Sequence, residues 1–218
     1  QSINRITEPE RETPLAVALR ERDFPLVERL LEKGASLEVD VEPGVPFLMA
    51  AVKSGDGELI DYLIAKGVDV DYRSAQPTTA LALAAEKGDV ALMERLIKAG
   101  ADPNTRGTTG KSLLIEAVKD GTREEFDLLL AHQAEVNATT RDGKGGEMTA
   151  LSFAIAGEDR EMQDALLKAG ATADVAGLGG HPLLYEAVAA GDHDLTKRLL
   201  AQGAKSEVLS LEKKSPLV

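Results

Sequence analysis

Thr105–Ser112 is the stretch that comes nearest to a known chemical motif. Its sequence, TRGTTGKS, differs from the phosphate-binding loop pattern G-x-x-x-x-G-K-[ST] by having Thr105 in place of the first glycine. That loop binds phosphate between a buried strand and a helix. No strand pattern precedes Thr105. The stretch therefore predicts the tip of a turn and no nucleotide site.

The other chemically suggestive residues have equally plain structural explanations. His132, His181 and His193 fall at three different positions of the repeat described below, whereas metal ligands must converge on one point. Asp69-Val70-Asp71 lacks the spacing and the glycine of a calcium loop. Asn137-Ala138-Thr139 has the letters of a glycosylation acceptor, but the Asn also fits the turn of the repeat. We expect no catalytic residues, no cofactor and no metal.

Composition excludes several classes of partner. The chain of 218 residues has a net charge of −12, which opposes binding to nucleic acid phosphates and suits a basic protein partner. No apolar run is long enough to span a membrane. Without cysteine there is neither a disulfide nor thiolate chemistry. Because only 3% of residues are aromatic, the core must consist of aliphatic side chains and Ala.

An internal repeat organises the chain. Repeats begin at Thr13, Pro46, Thr79, Ser112, Thr149 and Pro182, with a spacing of 33 residues that lengthens once to 37. Three positions hold the same residue type in all six copies, and such a period indicates a repeat array with one shared core. These positions are Leu15, Leu48, Leu81, Leu114, Leu151 and Leu184; Ala18, Ala51, Ala84, Ala117, Ala154 and Ala187; and Leu30, Leu63, Leu96, Leu129, Leu166 and Leu199.

Each repeat predicts two short helices joined by a turn. A glycine in most copies ends each helix, where a left-handed residue is needed. Arg22 and Glu158 replace it after the first helix and should be strained, and Gln133 replaces it after the second helix. A second-helix N-cap is predicted at the position held by five Asp residues and one Thr. That position comprises Asp23, Asp56, Asp89, Thr122, Asp159 and Asp192.

The chain resembles the ankyrin repeat family. The resemblance rests on the 33-residue period, on Thr13-Pro14-Leu15 and Thr79-Ala80-Leu81, and on Gly100-Ala101-Asp102-Pro103-Asn104. It covers roughly Thr13 to Val208 and implies an all-α solenoid of stacked helix-turn-helix units with β-hairpin-like links. The family's His after Pro-Leu is replaced throughout, so we expect the polar brace between links to be missing. The replacements are Ala16, Met49, Ala82, Ile115, Ser152 and Tyr185.

The resemblance also implies a domain organisation. Residues 1–12 would form a lead-in or cap, residues 13–214 the repeat array, and residues 215–218 the start of a further repeat. The four extra residues fall within Ala138–Met148, where we expect a longer, mobile finger, because insertions in a solenoid map to the links on one face.

In the resembling family, partners bind the concave side formed by the link tips and the exposed first-helix positions. First-helix positions of repeats five and six have only small residues (Ala156, Gly157, Ala189 and Ala190), which together with Tyr185 could form a hot spot. The alternative is that these alanines merely favour helix. The positions carried over as partner-binding are Glu42, Lys53, Gln76, Glu86, Lys87, Thr108, Thr109, Lys111, Lys119, Asp120, Arg141, Asp142, Lys144, Glu147, Met148, Leu178, His181 and Tyr185.

These observations predict a non-enzymatic protein-binding module, monomeric when free. Within that class we favour a bacterial inhibitor or immunity-type protein that masks a toxin or enzyme. The first residue is Gln and not Met, and we expect a removed segment and a periplasmic location in preference to the cytoplasm. An accessory scaffold for another enzyme, or the repeat region of a larger enzyme, are the alternatives.

Overall fold

The computed structural model describes residues 13–38, 40–42, 45–73, 78–141 and 147–206. The chain divides between Thr108 and Thr109 into two compact parts, which are described separately. The predicted lead-in of residues 1–12 and the predicted further repeat at residues 215–218 lie outside the described residues.

The N-terminal part contains three helix pairs and one short hairpin. Helix α1 packs on α2, α3 on α4 and α5, and α5 on α6, while β1 pairs antiparallel with β2. The bounds are α1 (Pro14–Arg20), α2 (Phe24–Glu32), β1 (Asp40–Glu42), β2 (Val45–Pro46), α3 (Phe47–Ser54), α4 (Gly57–Ala65), α5 (Ala80–Glu86) and α6 (Val90–Lys98).

The C-terminal part repeats this arrangement. Helix α7 packs on α8 and α9, α9 on α10, and α11 on α12, while β3 pairs antiparallel with β4. The bounds are α7 (Leu113–Asp120), α8 (Arg123–Ala131), β3 (Thr140–Arg141), β4 (Glu147–Met148), α9 (Ala150–Ala156), α10 (Arg160–Lys168), α11 (Leu183–Ala189) and α12 (His193–Ala201).

The recurring Leu and Ala positions form the core. All six alanines and all six leucines of the first helix are buried, as are the second-helix leucines except Leu30, which is half-buried. Small alanines let neighbouring first helices approach closely, and Leu, Ile, Met and Phe side chains fill the core. Helices of seven to nine residues are marginal alone and depend on this packing.

Five of the six predicted N-caps are confirmed. The Asp side chains accept a hydrogen bond from the backbone N–H three residues on, as Asp89 does from Leu92 at 2.9 Å. Thr122 lies at the N-cap position just before α8, but its side chain accepts no capping hydrogen bond, so the prediction was wrong there. Its hydroxyl lies 3.2 Å from the Glu125 carboxylate. Glu125 is buried where the other repeats have Leu or Met. The Thr122 hydroxyl donates a hydrogen bond to the Glu125 carboxylate and does not cap the helix.

The two predicted strained positions, Arg22 and Glu158, are confirmed, and Gln133 is a third that the sequence did not lead us to expect. Arg22, Gln133 and Glu158 have φ values of 57°, 61° and 55°, and no other non-glycine described residue has a positive φ. They stand where the other repeats have a glycine, whose missing Cβ makes this conformation easy. The turn geometry is therefore imposed by the repeat and not by the local residue.

The predicted loss of a polar brace between links was wrong at Ser152. Its hydroxyl donates to the Ala176 carbonyl at 2.6 Å and accepts from the Thr149 N–H at 3.2 Å. In the third repeat, where Ala82 offers no polar group, the hydroxyls of Thr79 and Thr105 meet at 3.1 Å. In the fifth repeat the Ser152 side chain thus connects neighbouring links. In the third repeat the pair of Thr79 and Thr105 does so.

A second set of polar contacts ties three of the segments that close a repeat to the closing segment of the following repeat. Asp71 accepts from the Asp102 N–H at 2.9 Å, and Asp174 accepts from the Lys205 N–H at 2.8 Å. Asn137, at the equivalent position, accepts from Thr172 N–H at 2.8 Å and donates to the Gly170 carbonyl at 3.2 Å. The Asn137 side chain is therefore a structural part of the turn.

Candidate partner-binding surface

The tip between α10 and α11 is a rigid loop. Gly177 N–H donates to the His181 carbonyl at 2.8 Å, and Gly180 N–H donates to the Gly177 carbonyl at 2.9 Å. Gly180 adopts φ 78°, which favours glycine. Because this backbone is closed on itself, the loop holds Leu178 at the surface with 38% of it exposed.

Glu186 locks this tip onto α11. Its carboxylate accepts from the Gly179 N–H at 3.2 Å and fills the space beside Gly177, where any Cβ would overlap the carboxylate. Burial raises the pKa of Glu186, and the Gly179 N–H and the charge of His181 oppose that rise. Glu116 plays the same part in α7, where the Thr109 hydroxyl donates to its carboxylate.

These two glutamates support tips of the candidate surface, and the sequence did not lead us to expect them. Both stand four residues after the start of their repeat, behind a link containing two or more glycines or threonines. That shared position was the available signal. Phe153 occupies the same position in the fifth repeat, half-buried, with the Lys111 ammonium 6.0 Å from its ring centroid. The predicted Lys111 site therefore includes a cation–π contact.

The small-residue floor of the last two repeats is exposed. Ala156, Gly157, Ala189 and Ala190 all lie at the surface at the ends of α9 and α11. Beside them Tyr185 and His181 form a ring pair with centroids 5.1 Å apart. Aromatic rings next to exposed small residues provide contact area at low entropic cost, which is characteristic of interface hot spots.

Other predicted positions are polar or charged and exposed. Lys53, Glu86, Thr108, Thr109, Lys119 and Asp120 lie at the surface. Lys119 and Asp120 form an ion pair at 3.7 Å, and Arg141 pairs with Glu147 at 3.2 Å across β3 and β4. Exposed pairs of this kind contribute little to stability, so their groups can exchange partners readily.

Two predicted positions differ from expectation. Met148 is 3% exposed and therefore belongs to the core and not to the binding surface. Lys87 donates to the carbonyls of Val52 at 2.7 Å and Lys53 at 2.8 Å, so its ammonium already holds two helices together.

Four predicted positions lie outside the described residues: Gln76, Asp142, Lys144 and the side chain of Glu42. The finger predicted at Ala138–Met148 therefore stays a prediction.

The described residues hold no cluster typical of a metal site. No three His, Asp or Glu side chains in these ranges converge as metal ligands would. Ser112, the last residue of the phosphate-loop-like stretch, caps α7 by accepting from the Ile115 N–H at 3.3 Å. Among the described helices, none has both the length and the apolarity to cross a bilayer.

Comparisons with known proteins agree with this architecture. The profile of a family described as ankyrin repeats (3 copies) matches residues 48–140 and 81–177, together more than half of the chain. No curated protein sequence matches significantly. Many solved structures match, and two of them show the extent of the similarity.

The first is the ankyrin repeat domain of Bcl-3, described as a unique member of the IkappaB protein family. It shares 26% identity over 94% of this chain and 92% of its own, with a TM-score of 0.68. The second is an ankyrin repeat domain from Acinetobacter baumannii AYE, with 28% identity over 88% of this chain and 98% of its own, and a TM-score of 0.65. The predicted fold class is confirmed.

Proposed function

Because the chain belongs to the ankyrin repeat family, we propose that it is an inhibitor or immunity-type protein that masks the surface of a toxin or enzyme. Ankyrin repeats are protein–protein interaction modules and are in general not catalytic. The surface formed by the Val175–Pro182 tip and the floor of Ala156, Gly157, Ala189 and Ala190 supports this proposal. It combines an exposed apolar residue held by the hydrogen-bonded tip, an aromatic pair and exposed small residues.

The charge of the chain supports a basic partner. A net charge of −12 attracts a cationic surface over long range and accelerates encounter at low ionic strength. The same charge opposes self-association, so the proposal includes a monomer when free, which sedimentation would test. It also includes a bacterial periplasmic location, which fractionation of the source cells would test.

Affinity purification of the full chain followed by mass spectrometry tests the proposal. Leu178→Asp and Tyr185→Ala should reduce partner capture several-fold while the melting temperature stays nearly the same. Leu200→Asp is the matched control, because Leu200 is 41% exposed on α12, outside the proposed surface. Undiminished capture by both tip variants would contradict the proposed surface. Inhibition of the captured protein distinguishes a masking inhibitor from a scaffold, which would leave its activity unchanged.

A further inference from the structure

A cleft of about 490 Å³ opens between α9 and α11. Its walls include Ile155 and Ala156 at the end of α9, and Ala190 at the end of α11. Three acidic residues, Glu158, Glu186 and Asp192, also line it.

One pair of first helices in the N-terminal part has a side chain in the equivalent space. Between α3 and α5, the Lys87 ammonium donates to the carbonyls of Val52 and Lys53 at 2.7 and 2.8 Å. These carbonyls lie at the C-terminal end of α3, where the helix dipole favours a cation. An aliphatic stem with an ammonium head group therefore fits the space between two neighbouring first helices.

Alignment of the repeats identifies the missing group in the cleft. Val52 and Lys53 stand six and seven residues after Pro46, as Ile155 and Ala156 stand after Thr149. Lys87 stands eight residues after Thr79, and its counterpart eight residues after Pro182 is Ala190. The chain therefore keeps the two carbonyl positions in the C-terminal part but replaces the lysine with a methyl group.

The charges around the cleft favour a cation. Glu158, Glu186 and Asp192 outnumber the one basic side chain in the lining, Arg160, which also pairs with Asp194 at 3.5 Å. The Asp192 carboxylate accepts from the Leu195 N–H at 2.9 Å, and this bond is the main reason why its pKa is lowered and its charge retained. Burial raises the pKa of Glu186, and a bound cation would reverse that effect.

We propose that the cleft between α9 and α11 receives a lysine side chain of the protein partner, whose ammonium donates to the Ile155 and Ala156 carbonyls as Lys87 does to those of α3. This proposal rests on the proposed binding function and specifies the chemistry of the partner. It places a cation-binding pocket directly beside the exposed Ala189–Ala190 floor.

A peptide titration tests the pocket without the natural partner. The probe is acetyl-Ala-Lys-Ala-amide, added to the isotope-labelled full chain and followed by the NMR shifts of the Ala156 and Ala190 amides. The control peptide has norleucine in place of lysine and keeps the stem but not the charge. We expect saturable shifts with the lysine peptide and about tenfold weaker binding of the norleucine peptide, because charge-assisted hydrogen bonds are lost. Equal binding of both peptides would overturn the proposal.

Substitutions within the chain supply the second arm. Ala190→Lys should occupy the pocket from within and abolish the peptide shifts. Ala201→Lys adds the same charge at an exposed position of α12 and should leave them unchanged. Conversely, Lys87→Ala should open a pocket at α3 and create new shifts at Val52 and Lys53. Retained peptide binding by Ala190→Lys would refute the proposed lysine pocket. The affinity purification tests the proposed binding function separately, so failure of either proposal can be recognised.

Discussion

Glu125 is buried at a position where five other repeats have an apolar side chain. The equivalents are Leu or Met throughout, and three of them, Leu92, Met162 and Leu195, are buried. Burial raises the pKa of Glu125, against the hydrogen bond from Thr122, and the nearby Asp120 and Glu116 charges raise it further. A charge held in this place opposes folding.

Replacing this charge should therefore stabilise the protein. Glu125→Leu is expected to raise the free energy of unfolding at pH 7 by about 1 kcal/mol. Because folding raises the pKa, the folded state binds the proton more tightly, and the penalty grows as pH rises above the ordinary value of about 4.3. Urea unfolding of the original protein and the Glu125→Leu variant between pH 4 and pH 7 measures the gain in stability at each pH. A gain that is larger at pH 4 than at pH 7 would contradict the explanation.

The left-handed turn residues provide a second test at this scale. Gln133→Gly should stabilise by about 1 kcal/mol, because glycine adopts a positive φ without the Cβ clash. Gly100→Gln, at the equivalent position of the preceding repeat with φ 106°, should destabilise by at least as much. Thermal unfolding of the two variants compares them directly. We expect the two changes in stability to have opposite signs. A loss of stability in Gln133→Gly would show that the Gln133 side chain itself stabilises the turn.

At the scale of elements, the Ser152 hydroxyl connects the segment before α9 with the segment before α11. Ser152 lies on α9 and bonds to Ala176, which precedes α11, so the contact joins segments 24 residues apart. The residue is 1% exposed, and water cannot replace the lost partner. The bond to Ala176 connects α9 to the link before α11, and the bond from the Thr149 N–H caps the N-terminus of α9.

Ser152→Ala is therefore expected to lower the free energy of unfolding by about 1–2 kcal/mol, because the Ala176 carbonyl and the Thr149 N–H lose their partner. Ser54→Ala is the control, since that hydroxyl is exposed and bonds only to the Ala51 carbonyl of its own helix at 3.0 Å. Chemical denaturation should show almost no effect of the control. Equal effects of the two changes would mean that the link brace contributes nothing specific.

At the scale of the molecule, stability depends on the interfaces between neighbouring repeats. Leu96 is 0% exposed, so Leu96→Ala should cost about 2–5 kcal/mol. Because repeats in an array stabilise their neighbours, amide hydrogen exchange should accelerate in α4 as well as in α6. Leu26→Ala, at a position 42% exposed, is the control. Acceleration confined to α6 would show that neighbouring repeats are not coupled.

The sequence by itself determined the features that repeat. The 33-residue period, the buried Leu and Ala positions, the Asp caps and the strained residues at the glycine positions all follow from local periodicity and backbone sterics, which act within one repeat. These features were enough to specify the fold.

Only the tertiary structure decided what each side chain meets in the next repeat. Lys87 looked like a surface charge, yet its ammonium is bound to α3, and Met148 looked like part of the binding surface, yet it is in the core. Ser152 looked like the loss of a brace, yet its hydroxyl provides one. The reason is physical: these contacts join residues 24 to 35 apart across a helix interface, and their geometry depends on side-chain reach and not on the repeat pattern.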